Sequence, residues 1–241
     1  MNVYRPQTLV IVRHAESVWN KNAEHGRGRV NKVPDELKGV PDHLTPLSAA
    51  GESQAVLTGR ILDMMFGEFE TIYHSPWVRT TQTAKIIVDQ FPDEARERME
   101  KRLFKNLFLT EQDFGYLDAG VTPPAELKKL YDRFYKEREI IGKFYAKPPN
   151  GDAWLAKCKD THNFFDIIFR QNRHGQKILI VTHGVTMQTF RYHLERINEE
   201  KLVELYEADK NKNCGVSHYE WNPKLGSGGR YELKFWNKVF Y

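Results

Sequence analysis

Two short apolar runs constrain the fold of this chain more than any other feature of its sequence. Residues 8–12 (TLVIV) and residues 177–181 (KILIV) are rich in β-branched and other apolar side chains. Such runs are typical of strands that are buried on both faces of a parallel sheet. The first run leads into His14 and the second into His183. The sequence therefore predicts two central parallel strands that each end at a histidine.

The segments between these runs predict strands that alternate with helices. Residues 71–74 are predicted as a third short strand, with Ser75 as the N-cap and Pro76 as the first residue of the following helix. Another helix is predicted over residues 46–65, with Thr45 as its cap. Its buried stripe is expected to contain Ala50, Leu57, Ile61 and Met64. The alternation predicts an α/β fold, a three-layer α/β/α architecture with a mostly parallel central sheet.

Two stretches interrupt this alternation. Residues 21–43 are polar and punctuated by glycine and proline, and they are predicted to form a long loop. The loop includes His25, Arg27 and Arg29, which could reach over a neighbouring pocket. Residues from about 94 to 173 are charged and aromatic, and we expect them to be an insertion that caps the C-terminal ends of the strands. Residues 215–221 and 230–236 alternate in polarity and predict an edge hairpin.

Length and composition favour a single domain over residues 1–241 and narrow the classes of function. The 36 Lys and Arg residues exceed the 32 Asp and Glu residues only slightly, which does not indicate a nucleic-acid-binding protein. The two cysteines have no disulfide or zinc spacing, which favours a reducing compartment without a structural metal. No apolar run approaches the ~20 residues of a membrane span. We therefore expect a cytoplasmic protein that does not enter a membrane.

The residues at the predicted strand ends indicate phosphoryl chemistry. Arg13 precedes His14 after the first strand, and His183 follows the later one. Arg79 lies at a helix start, where free backbone N–H groups favour an anion. Because the carboxyl ends of parallel strands border the ligand crevice, we expect these side chains to converge. Guanidinium groups bind phosphate oxygens, and their charge favours a neutral imidazole, the form that acts as a nucleophile.

Four segments, in order along the chain, resemble the motifs of the histidine phosphatase superfamily, which includes phosphoglycerate mutases. The first is residues 13–20 (RHAESVWN), the second residues 44–55, the third residues 75–84 (SPWVRTTQTA) and the last residues 181–184 (VTHG). The resemblance implies that His14 becomes phosphorylated. It also implies that Arg13, Asn20, Arg79, His183 and Gly184 bind the substrate phosphate. Ala15 departs from the pattern, because glycine is usual at this position.

The proton donor of this family is a carboxylate in the insertion, within an L-x-E-x-x-x-G pattern. Residues 109–115 (LTEQDFG) fit the pattern, which implies that Glu111 protonates the leaving oxygen and later accepts a proton from the attacking water. Asp113 is the alternative donor.

The expected function is therefore hydrolysis of phosphomonoesters through phosphohistidine, without metal or other cofactor. Phosphoglycerate mutase-type transfer is the first alternative. Mutase members usually carry paired arginines in the insertion, whereas this chain has only the dispersed cations Arg133, Lys136 and Arg138, which favours the phosphatase branch. The second alternative is a phosphate-binding regulatory module with little turnover, and it would require Glu111 to face away from the pocket. The expected partner is a small phosphorylated substrate.

Overall fold

A computed structural model describes residues 5–22, 35–118, 122, 124–171 and 175–241. The centre of the predicted loop over residues 21–43, including His25, Arg27 and Arg29, lies outside these residues. All structural statements below concern the described part of the chain.

Six strands form one central sheet in the described part of the chain. They are β1 (Thr8–Arg13), β2 (Thr71–His74), β3 (Leu103–Lys105), β4 (Lys177–Thr182), β5 (Val216–Asn222) and β6 (Arg230–Lys238). Their order across the sheet is β3-β2-β4-β1-β5-β6. The strands β1 to β4 are mutually parallel, whereas β5 runs antiparallel to both of its neighbours. The prediction of a mostly parallel sheet with an edge hairpin is confirmed.

Helices cover both faces of this sheet. They are α1 (Val18–Asn22), α2 (Ala49–Phe66), α3 (Val78–Val88), α4 (Asp93–Glu100), α5 (Pro124–Ile141), α6 (Trp154–Gln171), α7 (Gly184–Glu195) and α8 (Glu199–Ala208). Alternate residues of β1 point to opposite sides: Leu9 packs with α6 and α7, and Val10 packs with α2 and α3. The two apolar cores confirm the three-layer α/β/α architecture. None of the helices in the described residues combines the length and the apolar character that a bilayer span needs.

Helix α2 buries a different face from the predicted one. Leu57 and Met64, expected in the core, have 41% and 75% of their surface exposed. The helix instead buries the small residues Gly51, Ala55, Thr58 and Gly59 together with Leu62. A Cβ on Gly59 would lie 2.8 Å from the backbone oxygen of Ile87 in α3, so the two helices approach too closely for large side chains. Backbone proximity, rather than an apolar stripe, therefore determines how α2 packs.

Both predicted helix caps were wrong. Ser48, not Thr45, caps α2, because its Oγ accepts a hydrogen bond from the N–H of Gly51 at 3.0 Å. Helix α3 begins at Val78 rather than at Pro76. The hydroxyl of Ser75 contacts the Nε2 atom of His183 at 2.8 Å, which places Ser75 in the neighbouring strand-end cluster rather than on the helix.

The segment predicted as a cap, residues 94–173, contributes to both the sheet layers and the space above them. Strand β3 extends the sheet beside β2, and α6 packs on a sheet face through Phe164 and Ile168. Residues 110–118 and part of α5 instead line a cavity over the carboxyl ends of the parallel strands. The division of the chain into a domain and a cap remains a prediction.

Candidate active site

A cavity of about 1850 Å³ opens at the carboxyl ends of β1, β4 and β2. Strand register aligns these ends, because Arg13 lies opposite Thr182 and His74 lies opposite Val181. Predicted site residues that line the cavity are Arg13, His14, Asn20, Arg79, Glu111 and Gly184. The imidazole of His183 lies beside them, with its ring centroid 5.1 Å from that of His14. Sequence positions that are far apart therefore meet at one edge of the sheet.

The imidazole of His14 is held in one orientation and one tautomer. Its side chain is buried, and Nδ1 lies 2.7 Å from the backbone oxygen of Ala15. A carbonyl oxygen can only accept, so Nδ1 carries the proton and Nε2 carries the free lone pair. Nε2 accepts a hydrogen bond from Nε of Arg79 at 3.2 Å. The lone pair of Nε2 therefore points at the cationic end of the cavity.

The electrostatic environment keeps His14 neutral. Burial lowers the pKa of its imidazole well below the ordinary 6.5, and the positive charges of Arg79 and Arg13 lower that pKa further. The hydrogen bond to the carbonyl of Ala15 opposes this shift only in part. A neutral imidazole at neutral pH has the lone pair that nucleophilic attack requires.

Arg13 is held beside His14 by the loop that follows α8. Its Nη1 donates to the backbone oxygen of Asn211 at 2.6 Å. Its Nε is buried and has no hydrogen-bond acceptor among the described residues. Burial lowers the pKa of the Arg13 guanidinium, and the charge of Glu111 is the largest opposing influence. Arg13 and Glu111 therefore interact electrostatically across the cavity floor.

His183 is fully buried and contacts both Ser75 and Trp77. Its Nε2 lies 2.8 Å from Oγ of Ser75, and its ring meets the Trp77 indole edge-on at a centroid distance of 4.8 Å. Its Nδ1 has no partner among the described residues. Burial lowers the pKa of His183 well below 6.5, and Arg79 adds to that effect. His183 is therefore a second neutral imidazole in the cluster.

Asn20 is positioned by a hydrogen-bond network that includes the backbone of His14. Its Oδ1 accepts from the N–H of Ser17 at 3.2 Å and from Nδ2 of Asn213 at 2.9 Å. The same Nδ2 donates to the backbone oxygen of His14 at 3.2 Å. Since its oxygen is occupied, Asn20 has its amide N–H groups to offer to a ligand.

The alanine that replaces the usual glycine fits without strain. Ala15 is fully buried with Leu47, Ala55 and Cys214, and its N–H donates to Oγ1 of Thr83 at 3.0 Å. Its φ angle is not among the positive φ values of the described non-glycine residues. The additional Cβ therefore contributes to a small apolar cluster below the active-site turn, residues 14–17.

The first turn of α2 packs directly against the backbone of the active-site turn. A Cβ on Gly51 would lie 2.0 Å from the backbone oxygen of Glu16, a distance that only glycine permits. Oε1 of Glu16 in turn accepts a hydrogen bond from Oγ of Ser48 at 2.6 Å. Glu16 thus orients the turn that carries His14.

Glu111 is fixed at the N-terminus of α7, directly after His183. Both of its carboxylate oxygens accept from the N–H of Val185, at 3.1 and 3.2 Å, and Oε1 also accepts from the N–H of Gln112 at 2.9 Å. Asp113 has a different role, because its Oδ1 accepts a hydrogen bond from the N–H of Gly115 at 2.7 Å. Of the two candidate proton donors, Glu111 is the one that contacts the helix bearing the predicted phosphate ligands.

The segment that carries Glu111 is clamped to residues 148–154. The side chain of Gln112 donates to the backbone oxygen of Asp152 at 2.6 Å and accepts from Nε1 of Trp154 at 3.1 Å. Gly115 has a φ of +51°, and a Cβ there would lie 2.3 Å from the backbone oxygen of Pro149. The glycine that completes the L-x-E-x-x-x-G pattern is therefore required by close backbone contact.

Gly184 begins α7 between the predicted acid and Arg13. A Cβ at this position would lie 3.5 Å from Oε2 of Glu111 and 3.7 Å from Nε of Arg13. These are ordinary van der Waals distances, so glycine is not demanded by the protein alone. The small residue instead leaves room on the cavity wall.

The far side of the cavity holds a cationic cluster that the sequence did not predict. Glu207 pairs with Lys143, with Arg138 at 3.6 Å and with Lys210 at 3.8 Å. Burial lowers the pKa of Lys143 to about 8, against the opposing effect of Glu207. The ammonium group of Lys143 lies 3.7 Å from the centroid of the Tyr206 ring. Three cations and one carboxylate give this cluster a net positive charge.

Asp42 is a second cavity residue that sequence reasoning missed. It begins a 3-10 turn, Asp42–Leu44, and its carboxylate forms an ion pair with Arg79. No motif pointed to it, since a single aspartate in a polar stretch is normally a solvated side chain. No group of three or more potential metal-ligating His, Cys, Asp or Glu side chains occurs within residues that the structure describes.

The chain belongs to the histidine phosphatase superfamily (branch 1), whose family model matches residues 9–237. This assignment agrees with the placement of two neutral histidines and two arginines at the strand ends of an α/β sheet.

Its sequence relatives include mutases, and solved structures with a similar fold include phosphatases. A 2,3-bisphosphoglycerate-dependent phosphoglycerate mutase of Bartonella bacilliformis is 28% identical over 203 residues, which cover 82% of this chain and 85% of the mutase. A putative alpha-ribazole-5'-P phosphatase from Escherichia coli has a similar fold, with a TM-score of 0.70, 19% identity and 97% coverage of both chains. A mycobacterial glucosyl-3-phosphoglycerate phosphatase, solved with inorganic phosphate, has a TM-score of 0.68, 17% identity and coverage of 97% and 98%.

Proposed function

We propose that the chain hydrolyses phosphomonoesters through a phosphohistidine formed at Nε2 of His14, without a metal ion. The observation that carries this proposal is the state of His14. Its proton is fixed on Nδ1 by the carbonyl of Ala15, its pKa is held well below 6.5, and its Nε2 lone pair faces Arg79. A buried, neutral and oriented imidazole next to two guanidinium groups suits in-line attack on an anionic phosphorus centre.

Two buried polar atoms support phosphate binding beside this nucleophile. Nε of Arg13 and Nδ1 of His183 have no partner among the described residues. Oγ of Ser75 accepts from the N–H of Trp77, so its own proton can go to Nε2 of His183, which leaves the His183 proton on Nδ1. An unsatisfied buried donor destabilises a protein by about 1–3 kcal/mol. Phosphoryl oxygens would satisfy both donors, with Arg79, Asn20 and Gly184 completing the site.

The proposed reaction has two steps. In the first, Nε2 of His14 bonds to phosphorus, the bond from phosphorus to the ester oxygen breaks, and the carboxyl group of Glu111 gives its proton to the departing oxygen. In the second, water attacks phosphorus and gives a proton to the Glu111 carboxylate, while the nitrogen–phosphorus bond breaks and His14 becomes neutral again. Arg13 and Arg79 would stabilise the charge on the transferred group, a role that Mg²⁺ has in other phosphotransferases.

The position of Glu111 favours an enzyme over a regulatory phosphate-binding module. The module hypothesis requires Glu111 to face away from the pocket. Glu111 lines the cavity, and it lies close enough to Arg13 to oppose the shift in that residue's pKa.

Mutase-type transfer is the second candidate, and the cationic cluster around Glu207 favours it. The sequence relatives that are mutases act on phosphoglycerates by name, and a positive wall could hold the second acidic group of such a substrate. Hydrolysis is preferred because the described cavity lining contains no adjacent pair of arginines from the insertion. Arg133 and Lys136 are exposed and do not line the cavity, and Arg138 is accompanied there by a lysine, Lys143.

The decisive experiment measures free phosphate from a panel of phosphomonoesters in EDTA, with 3-phosphoglycerate included and its 2-isomer followed in parallel. We expect phosphate release that His14→Ala abolishes in a folded protein. Isomerisation without free phosphate would make the chain a mutase, and full activity in folded His14→Ala would overturn the phosphohistidine mechanism.

We also propose a cytoplasmic location, supported by the free and buried thiols of Cys158 and Cys214. Cell fractionation with an antibody against the chain tests this proposal.

A further inference from the structure

The carboxylate of Asp42 binds Arg79, the same arginine that is proposed to bind the substrate phosphoryl group. Nη1 of Arg79 donates to Oδ1 of Asp42 at 3.0 Å, and Nη2 donates to Oδ2 at 3.2 Å. Nη1 also donates to the backbone oxygen of Asp42 at 2.6 Å. This is the two-pronged geometry with which guanidinium groups bind carboxylates and phosphates.

These contacts use most of the donors that Arg79 possesses. A guanidinium group has one N–H on Nε and a pair on each Nη. The Nε proton is given to His14, both Nη1 protons go to Asp42, and one Nη2 proton goes to Asp42. A single N–H on Nη2 is left for a ligand. While Nε remains bonded to His14, as in the structure, a phosphoryl group can therefore bind Arg79 through two bonds only if the Asp42 carboxylate withdraws.

Asp42 is placed so that its side chain can withdraw without opening the core. Its backbone N–H donates to Oδ2 of Asp118 at 3.0 Å, which ties the 3-10 turn to the cavity wall that also carries Glu111. Its side chain is 29% exposed, whereas that of Arg79 is only 5% exposed. Rotation of the Asp42 side chain thus moves a carboxylate into water and leaves the buried guanidinium for another anion.

We propose that Asp42 is a specificity-determining residue that competes with the substrate phosphoryl group for Arg79. The inference rests on the proposed function, because it takes Arg79 as a phosphate ligand. A phosphoryl dianion has more charge and more acceptor oxygens than a carboxylate, so it replaces Asp42, whereas monoanionic ligands replace it poorly. The same competition weakens the binding of inorganic phosphate and thereby assists release of the product.

The test is the affinity of inorganic phosphate for Asp42→Asn, measured by calorimetry beside the wild-type chain. Asparagine has the same shape but offers one neutral acceptor oxygen, so its bonds to Arg79 lose their charge assistance. Loss of that assistance corresponds to about tenfold tighter phosphate binding, and the KM for substrate should fall in parallel. The matched control is Asp35→Asn, which removes an equal charge from the exposed pair of Asp35 with Lys38; its phosphate affinity should stay unchanged.

A third variant, Arg79→Gln, separates failure of this inference from failure of the proposed function. If Arg79→Gln loses phosphate binding and Asp42→Asn binds phosphate no more tightly than wild type, Asp42 only positions Arg79 and the competition is refuted. A lower kcat with an unchanged KM in Asp42→Asn would agree with that refutation. If Arg79→Gln binds phosphate as well as wild type, Arg79 is not a phosphate ligand and both proposals fall.

Discussion

Replacing Glu111 by glutamine should separate the two proton-transfer steps that we assign to this residue. Glutamine keeps an acceptor oxygen for the N–H groups of Val185 and Gln112, which hold Glu111 at 3.1 and 2.9 Å. The substitution therefore preserves the start of α7 and removes the exchangeable proton together with the negative charge near Arg13. Because the fold and the phosphate ligands are retained and the loss of charge acts on every substrate, a difference in rate loss between substrates reports on proton transfer.

The size of the effect should depend on the leaving group. A positioned general acid typically accelerates a reaction by about 10²–10⁴. An alkyl phosphate needs the acid to expel its alcohol, so its kcat/KM should fall by about that factor in Glu111→Gln. Nitrophenolate leaves without a proton, so kcat/KM for p-nitrophenyl phosphate should change by less than about tenfold. Its kcat should still fall, because water would attack phospho-His14 without a base.

The assay is stopped-flow release of nitrophenolate together with steady-state turnover of an alkyl phosphate. In Glu111→Gln, we expect a burst of about one nitrophenolate per active site followed by slow turnover, since phospho-His14 accumulates. Asp113→Asn is the matched control, because its side chain can still cap Gly115. Equal loss with both substrates and no burst would refute the assignment, as would transfer of the leaving-group dependence to Asp113→Asn.

Three other predictions follow from the site and its support. Because burial and the arginines hold the pKa of His14 and His183 well below 6.5 in the folded chain, unfolding takes up protons below that pH. Above pH 6.5 these groups should therefore not affect the free energy of unfolding. Below pH 6.5 that free energy should fall by up to about 1.4 kcal/mol per pH unit for each histidine. Urea titrations down to about pH 5 will measure this fall, and a free energy that does not change with pH would contradict the lowered pKa values. Lys143→Met should raise the KM about tenfold for substrates with a second anionic group, because one charged hydrogen bond is lost. The KM for p-nitrophenyl phosphate should stay unchanged. Equal changes in KM for both kinds of substrate would argue against a role of the cationic cluster in binding. Gly51→Ala should destabilise the fold by about 1–3 kcal/mol through its clash with the active-site turn, whereas Gly228→Ala, with open space around it, should change stability by less than about 0.5 kcal/mol in the same urea assay.

The positions of the two histidines could be predicted because burial on both faces leaves a clear pattern in sequence. The run at residues 8–12 and the run at residues 177–181 each become a central strand, and strand register then brings His14 and His183 together. The sheet, its layers and the hairpin follow from similar periodicity. Glu111 was found only through a family pattern, because a carboxylate in a loop has no periodic signal of its own.

Features that depend on contact between distant segments could not be predicted in this way. The prediction of which face of α2 is buried was wrong, because small residues, rather than the large Leu57 and Met64, contact the neighbouring helix. The predicted role of Ser75 as a helix cap was wrong, because its hydroxyl contacts His183 instead of capping α3. Asp42 gave no signal, since it meets Arg79 only through tertiary structure. Glu207 gave none either, because Lys143 and Arg138 are remote in sequence and only Lys210 is a local partner.

The placement of β1 between β4 and β5 also determines when the nucleophile acquires its surroundings during folding. The backbone oxygen of His14 receives the N–H of Cys214 and the side chain of Asn213, and its N–H donates to Thr182. During synthesis on the ribosome, β1 is made long before these partners. Its apolar residues therefore have no neighbouring strands to pack with at first. Contacts between such remote segments form slowly. Recovery of activity after dilution from denaturant should therefore lag behind recovery of helix content, which makes turnover a reporter of the last stage of folding.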